Sequence, residues 1–471
     1  MGALERAFEL IAAADPDKTL PLCEIKAIEI GPDALFTVGE VVQQFISLNS
    51  TIGLIVDKTI ISRKNLEAKK IVREILAEKF VVHEVLLDDG HPELHASEEV
   101  IANSASRANN LAGLVTVGGG TITDIGKMTS VALGGIPHVA VQTAASVDGY
   151  TDNVSVILIN GVKRTVPSRW PEALIADTTL IAEAPKLMNR AGYGEINSMF
   201  TAPADWRIAA LLGFEKKFHW GPIELLRGVG EGIEEWSPGL RNSDIHSTEK
   251  LVNALAIRGI VTGVADTTAC LSGIEHLISH MLDMYHGAHH KPIGQHGAQV
   301  GVGSIYAAAI WDLIFLKFST SEIQLQQFPD KDALKSKVYA AFGNLEKSKS
   351  LADECWKDYE KKIDFWISNF SDIESVLQNW NEHHAELRSL IKTPEEIVHG
   401  LVASGSPVSF EDLEPTIEID IANWAVANSH LMRNRFVGID LLEFTGMWGD
   451  AEIDWVFARS SEVIKSQGVR V

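Results

Sequence analysis

Two histidines four residues apart, in Ser272-Gly-Ile-Glu-His276-Leu-Ile-Ser-His280, stand on one face of a helix, and a third follows in Gln295-His296-Gly-Ala-Gln-Val300. Neutral imidazoles from one helix face and the start of the next can hold a divalent cation and leave positions open for a substrate oxygen. A carboxylate suits the third position, and Glu195 in Ala191-Gly-Tyr-Gly-Glu195 is the candidate. His286, His289 and His290 read instead as a solvated loop. A second constellation is Val117-Gly118-Gly119-Gly120-Thr121-Ile-Thr-Asp124, which follows an apolar strand and opens a helix expected over Asp124 to Ala132. Consecutive glycines let the backbone close on a pyrophosphate, with amides and the helix N-terminus facing its charge. The spacing is not G-x-G-x-x-G.

These groups need strands to carry them. Thr51 to Val56, Phe80 to Leu87, Leu114 to Val117 and His138 to Gln142 are compact apolar runs separated by helical periodicity, which predicts a parallel sheet covered on both faces. Asp57 ends one strand and suits a ribose hydroxyl pair. After another, Thr143, Ser146 and Asp148 occupy a short loop. Asn160-Gly161 between Val154 to Ile159 and Val162 to Val166 signals a hairpin carrying Lys163 and Arg164. Beyond residue 183 helical segments dominate, so two domains are expected: 1–183, α/β, and 184–471, all-α, with 319–400 a surface helical elaboration.

The formal charge of −22 excludes a nucleic-acid binder or an anionic-membrane protein, because phosphates need a basic face. Cys23, Cys270 and Cys355 form neither a ligand pair nor a disulfide framework, and the first 15 residues lack an export-type apolar run. Val300 to Phe318 mimics a membrane span but carries Asp312 and Lys317, and its small residues suit a packed core helix. A cytoplasmic, soluble chain is expected.

Seven ordered motifs, from about Ile28 to Trp448, resemble the sn-glycerol-1-phosphate dehydrogenases of the iron-containing alcohol dehydrogenase and dehydroquinate synthase-like superfamily. They are Gly-Gly-Gly-Thr-x-x-Asp, Thr-Ala-Ala-Ser-x-Asp-Gly, Gly-x-Gly-(acid), Ala204-Asp205-Trp206, Ser-Gly-x-Glu-His-x-x-Ser-His, His-Gly-x-Gln-Val-Gly-Val-Gly and Arg433-Asn434-Arg435-Phe436. The resemblance implies a Rossmann-like N-terminal domain, a helical C-terminal domain (the dehydroquinate synthase-like fold) and an active site in the cleft between them. It implies NAD or NADP, with Gly118, Gly119, Gly120, Thr121 and Asp124 in the pyrophosphate motif, Asp57 at the adenosine ribose, and Thr143 with Ser146 at the nicotinamide end.

By the same resemblance, Glu195, His276 and His296 bind zinc, with nickel or iron as alternatives, and Asp148 and His280 face a small polyol phosphate. Lys163, Arg164 or Arg433 would meet a phosphate, and a homo-oligomer is expected. The sequence departs from the family in Glu195 for Asp, in Gln142 before Thr143, and in Asp152, an added negative charge beside the cofactor. The reaction implied is hydride transfer between sn-glycerol 1-phosphate and dihydroxyacetone phosphate. Two other readings are a dehydroquinate synthase-type cyclase or lyase, favoured by Glu195, and a catalytically silent binding protein.

Overall fold

The computed structural model describes residues 3–159, 162–320, 325, 329–343, 345 and 349–469; the Asn160-Gly161 turn and the Lys163 side chain lie outside them. The chain divides into two compact units, 1–192 with 220–266, and 193–219 with 267–471.

In the first unit, β1 (Ala27–Gly31), β2 (Thr51–Val56), β3 (Val81–Leu86), β4 (Leu114–Gly118) and β5 (His138–Gln142) precede a hairpin of β6 (Val154–Ile159) and β7 (Val162–Pro167), and β8 (Ala173–Asp177) follows it. Six of these form one sheet in the order β1-β8-β5-β4-β2-β3, every neighbouring pair parallel. Every residue of β4, β5 and β8 is buried, which is why these strands read as continuous apolar runs rather than alternating ones. The edge strand β1 and its neighbour β8 were not among the expected runs: β1 is short and half-polar, Ala-Ile-Glu-Ile-Gly.

The strand order reverses between β2 and β4, and such a switch point opens a crevice at the carboxyl ends of the strands. Asp57 leaves β2 there, and the glycines leave β4. Gly118 pairs in register with Gln142, so the Thr143 loop emerges beside the glycine turn, and the Thr143 amide donates to Gly118 O at 3.2 Å.

Helix α1 (Gly120–Ala132) begins four residues earlier than expected, because Gly119 takes the extended N-cap conformation (φ −80°, ψ −169°) and Gly120 is already helical. Lys127 of α1 is fully buried between two carboxylates, 3.1 Å from Asp124 and 2.7 Å from Asp152. Its ammonium also donates to Gly149 O at 2.8 Å and to Val154 O. Asp124 accepts in addition from the Val156 amide at 3.2 Å. One buried cation therefore pins α1, the loop after β5 and the start of the hairpin.

The second unit is helical. It holds α3 (Ala202–Leu211), α5 (Ile274–Ala288) and α6 (His296–Thr320); α2 (Lys186–Ile196) spans the division, and α4 (Ile245–Ala265) belongs to the first unit. By length and composition alone His296–Ser319 could cross a membrane, but 89% of its apolar window is buried in this fold. The stretch expected as a surface elaboration forms helices Lys331–Phe342, Ser350–Ser368, Phe370–Gln378 and Trp380–Arg388. It has a buried face of its own, with Tyr359 and Trp366 fully enclosed. From that face the buried Lys362 donates to Asp440 Oδ1 and His430 O at 2.7 Å and to Arg435 O at 3.2 Å, so these helices brace the segment that carries Arg433 to Phe436.

Lys127→Met leaves Asp124 and Asp152 buried without their cation, an arrangement that costs about 3–5 kcal/mol. Denaturant unfolding should show that loss at pH 8 and a smaller one at pH 5. Burial already holds Asp152 up to about 6, and a protonated carboxyl no longer needs the lysine.

Candidate functional site

Glu195 lies in the last turn of α2, His276 in the first turn of α5, and His296 opens α6. His276 Nε2 stands 3.2 Å from Glu195 Oε1, and His296 Nε2 stands 3.8 Å from Glu195 Oε2. One donor atom from each residue falls within 4.8 Å of the others.

The convergence depends on bare backbone. A Cβ on Gly194 would sit 2.1 Å from Gly297 O, and one on Gly301 would sit 2.7 Å from Gly194 Cα. Gly194 precedes Glu195 and Gly297 follows His296, so the glycines of both motifs let α2 and α6 cross at the contact that brings Glu195 and His296 together.

The other ring nitrogens assign the tautomers. His276 Nδ1 is 2.9 Å from Glu275 Oε1, a carboxylate that can only accept, so the proton is on Nδ1. Ser279 Oγ donates its only hydrogen to Gln299 Oε1 at 2.7 Å and therefore accepts from His296 Nδ1 at 3.0 Å. Both Nε2 atoms thus face the two oxygens of one carboxylate. Burial alone pushes the His276 imidazolium down, but the charge of Glu195 and hydrogen bonds to Glu195 and Glu275 outweigh it and raise the pKa to about 9. Two nitrogens with one carboxylate and partnered far sides are a donor set that fits a divalent metal.

Glu275, absent from the expected site residues, is fully buried; it also accepts from the Gly273 amide at 2.7 Å and Thr201 Oγ1 at 2.8 Å. Asp205 accepts from the amides of Ile274 and Gly438, at 2.9 and 2.8 Å, and from Trp311 Nε1 at 3.2 Å. Arg435 donates to Ser272 O and, at 2.6 Å, to Thr268 Oγ1. The Ala-Asp-Trp and Arg-Asn-Arg-Phe motifs therefore anchor the N-terminus of α5 and so fix the ring of His276. A cavity of about 210 Å³ beside them is lined by Asp205, Glu215, Ser272 and Arg435, and by none of Glu195, His276 and His296.

His280 lies one turn beyond His276, its ring 6.3 Å from that of His276 and 5.6 Å from that of His296. With Asp283 and His296 it forms a second compact donor cluster.

In the first unit, the amides of Gly120, Thr121 and Ile122 precede the first bond of α1, from Thr123 N to Gly119 O at 3.2 Å. Gly118 and Gly120 are required by packing, since added Cβ atoms would meet Ile122 at 2.8 Å and Val147 at 2.9 Å. Gly119 has open space, its nearest neighbour being Tyr150 Oη at 4.0 Å, and this is the cradle a phosphate group needs. Thr143 and Ser146 are buried in the adjacent loop.

Asp124 and Asp152, expected at the cofactor, share Lys127, so the added charge of Asp152 is compensated. Asp148 accepts from Arg258 Nε and Nη2 at 3.2 and 3.1 Å, the arginine being fully buried in α4. Lys127 and Arg258 were missed, although a cation inside an apolar helix is a visible signal of a buried pair. Arg164 and Arg433 are half-buried.

The profile of the iron-containing alcohol dehydrogenase family matches residues 29–185. A glycerol-1-phosphate dehydrogenase [NAD(P)+] of Pyrococcus furiosus is 34% identical over 242 residues, 51% of this chain and 67% of that protein. The chain belongs to the glycerol-1-phosphate dehydrogenase family. A Bacillus licheniformis protein of the same name is 27% identical over 334 residues, 71% of this chain and 68% of its own length. Glycerol dehydrogenase from Schizosaccharomyces pombe shares the fold over 96% of this chain and 94% of its own, with a TM-score of 0.59 at 15% identity. A Rhizobium maleylacetate reductase does so over 96% and 99%, with a TM-score of 0.56 at 15% identity.

Two substitutions probe this architecture. Glu275→Gln should keep the fold and weaken divalent-metal affinity by about 10–100-fold in a competing-chelator titration. Gly194→Ala should cost about 1–3 kcal/mol or more and lower bound metal in elemental analysis, because its Cβ must displace the backbone of α6.

Proposed function

We propose that the chain is an NAD(P)-dependent, metal-dependent dehydrogenase that interconverts sn-glycerol 1-phosphate and dihydroxyacetone phosphate. The observation that carries the metal half is the convergence of His276 and His296 Nε2 on the Glu195 carboxylate. Zinc suits two imidazole nitrogens and one carboxylate, as in zinc sites that keep a position open for substrate. A divalent cation held there supplies polarisation of the substrate's hydroxyl or carbonyl oxygen.

The residues of the chain do the rest. The amides at the start of α1 and the open face of Gly119 hold the pyrophosphate, and Thr143 with Ser146 borders the nicotinamide end. Glu275 and Ser279 keep both imidazoles in the tautomer that presents Nε2. His280, one turn from His276, is placed to move the proton of the substrate hydroxyl. Asp148, held by Arg258, presents a fixed acceptor to a substrate hydroxyl. Arg164 and Arg433 are the candidate cations for the substrate phosphate, as is Lys163, whose side chain is outside the described residues. None of Cys23, Cys270 and Cys355 is disulfide-bonded, which supports a reducing compartment.

The silent-homologue reading drew on Glu195 and Asp152. Glu195 faces both imidazoles and Asp152 is paired, so neither supports lost chemistry.

Zinc-loaded protein should oxidise NADH or NADPH with dihydroxyacetone phosphate, followed at the nicotinamide absorbance. Chelation should abolish the rate and added metal restore it, while His276→Ala should lose both metal and turnover. No oxidation of either nucleotide with this ketone or other small phosphorylated ketones would reject the assignment, as would full metal content in His276→Ala.

A further inference from the structure

The carboxylate expected at the adenosine ribose does not stand alone. Asp57 leaves β2 with Oδ1 against Lys69 Nζ, and its Oδ2 accepts from Thr59 Oγ1 at 2.9 Å. Lys69 is the second residue of helix Ala68–Ala77, which is capped by the Glu67 side chain accepting from the Lys69 and Lys70 amides. The ammonium also donates to Asp57 O at 2.8 Å and to Thr59 O at 2.6 Å, so the whole turn after β2 is folded around it. The Lys69 side chain is 10% exposed, while Asp57 keeps 20% of its side chain open. Nearby charges are otherwise engaged: Lys58 pairs with Asp88, and Lys70 lies 3.9 Å from Glu74.

An acid at this strand end binds the ribose hydroxyls and repels a 2′-phosphate, which is how such sites come to prefer NAD. That argument holds for an uncompensated carboxylate. Here the nearest cation sits on the carboxylate itself, and a phosphate approaching Asp57 meets a pair with no net charge. A phosphate dianion a few ångströms away feels each unit charge added to or removed from that pair at the partly screened strength of a protein surface.

We infer, on the dehydrogenase reading above, that Lys69 sets the dinucleotide choice of this chain: by neutralising Asp57 it admits NADP(H) nearly as well as NAD(H). The carboxylate retains lone pairs for ribose hydroxyls while bonded to the lysine, so NAD(H) is not lost.

Binding rather than turnover tests this, through nicotinamide fluorescence titrations of the full chain with NADH and NADPH at fixed low ionic strength. The wild-type dissociation constants should agree within about tenfold. Lys69→Met should weaken NADPH by about tenfold while NADH moves by no more than about twofold, and Lys69→Arg should keep the wild-type ratio. Asp57→Asn, which frees the lysine charge, should shift the ratio towards NADPH, and the double variant should return close to wild type.

An equal loss of both nucleotides in Lys69→Met would overturn the inference, since the lysine would then only hold the turn. So would an unchanged ratio in Lys69→Met or in Asp57→Asn; the latter decides the matter if the lysine variant does not fold. Wild-type protein that binds neither nucleotide would instead reject the dehydrogenase reading itself, a result separate from any change in ratio.

Discussion

One buried carboxylate sets the terms for the helical unit. Glu195 presents an oxygen to each of two imidazoles, and its charge holds the pKa of His276 up to about 9 against the cost of burial. Much of the surrounding structure serves to keep three side chains from three helices aimed at one point. The glycines beside Glu195 and His296 remove the side chains that would hold α2 and α6 apart. Glu275 and Ser279 fix the far nitrogens, and Asp205 and Arg435 fix the loop and helix start that carry His276. Lys362 braces the Arg435 segment from the helices beyond residue 330. A metal site is only as exact as this supporting shell, because the ligands alone have rotamers to spare.

Charge compensation is the recurring device in the sheet unit. Lys127 serves Asp124 and Asp152, Arg258 serves Asp148, and Lys69 serves Asp57. Each pair places a buried or half-buried cation behind an acid near the carboxyl edge of the sheet. Leaving a buried carboxylate unpaired costs several kcal/mol, so an acid retained in such a place comes with its counterion. The consequence for function is that the formal charge of a motif residue misleads. Asp152 looks like a new repulsion beside the cofactor, yet it completes a pair; Asp57 looks like a barrier to a 2′-phosphate, yet it is neutralised.

The overall class and the reactive groups were legible in the residues. Continuous apolar strands betray a sheet covered on both faces, and a glycine run between a strand and a helix marks a phosphate-binding turn, because both signals are local. The spacing of His276 and His280, the position of His296 and the acid Glu195 also stood in the sequence. Strand β1 did not, since it is half-polar and an edge strand acquires its identity from the neighbour it pairs with.

What the tertiary structure alone decided is which charges meet. Lys127 to Asp152 spans 25 residues, Arg258 to Asp148 spans 110, and Glu195 to His276 spans 81. No local pattern reports such pairings, because side-chain partners are set by the crossing of elements far apart in the chain. For the same reason the sequence could name an acid as a ligand or a ribose contact, but only the fold shows whether that acid is charged, shared or already answered.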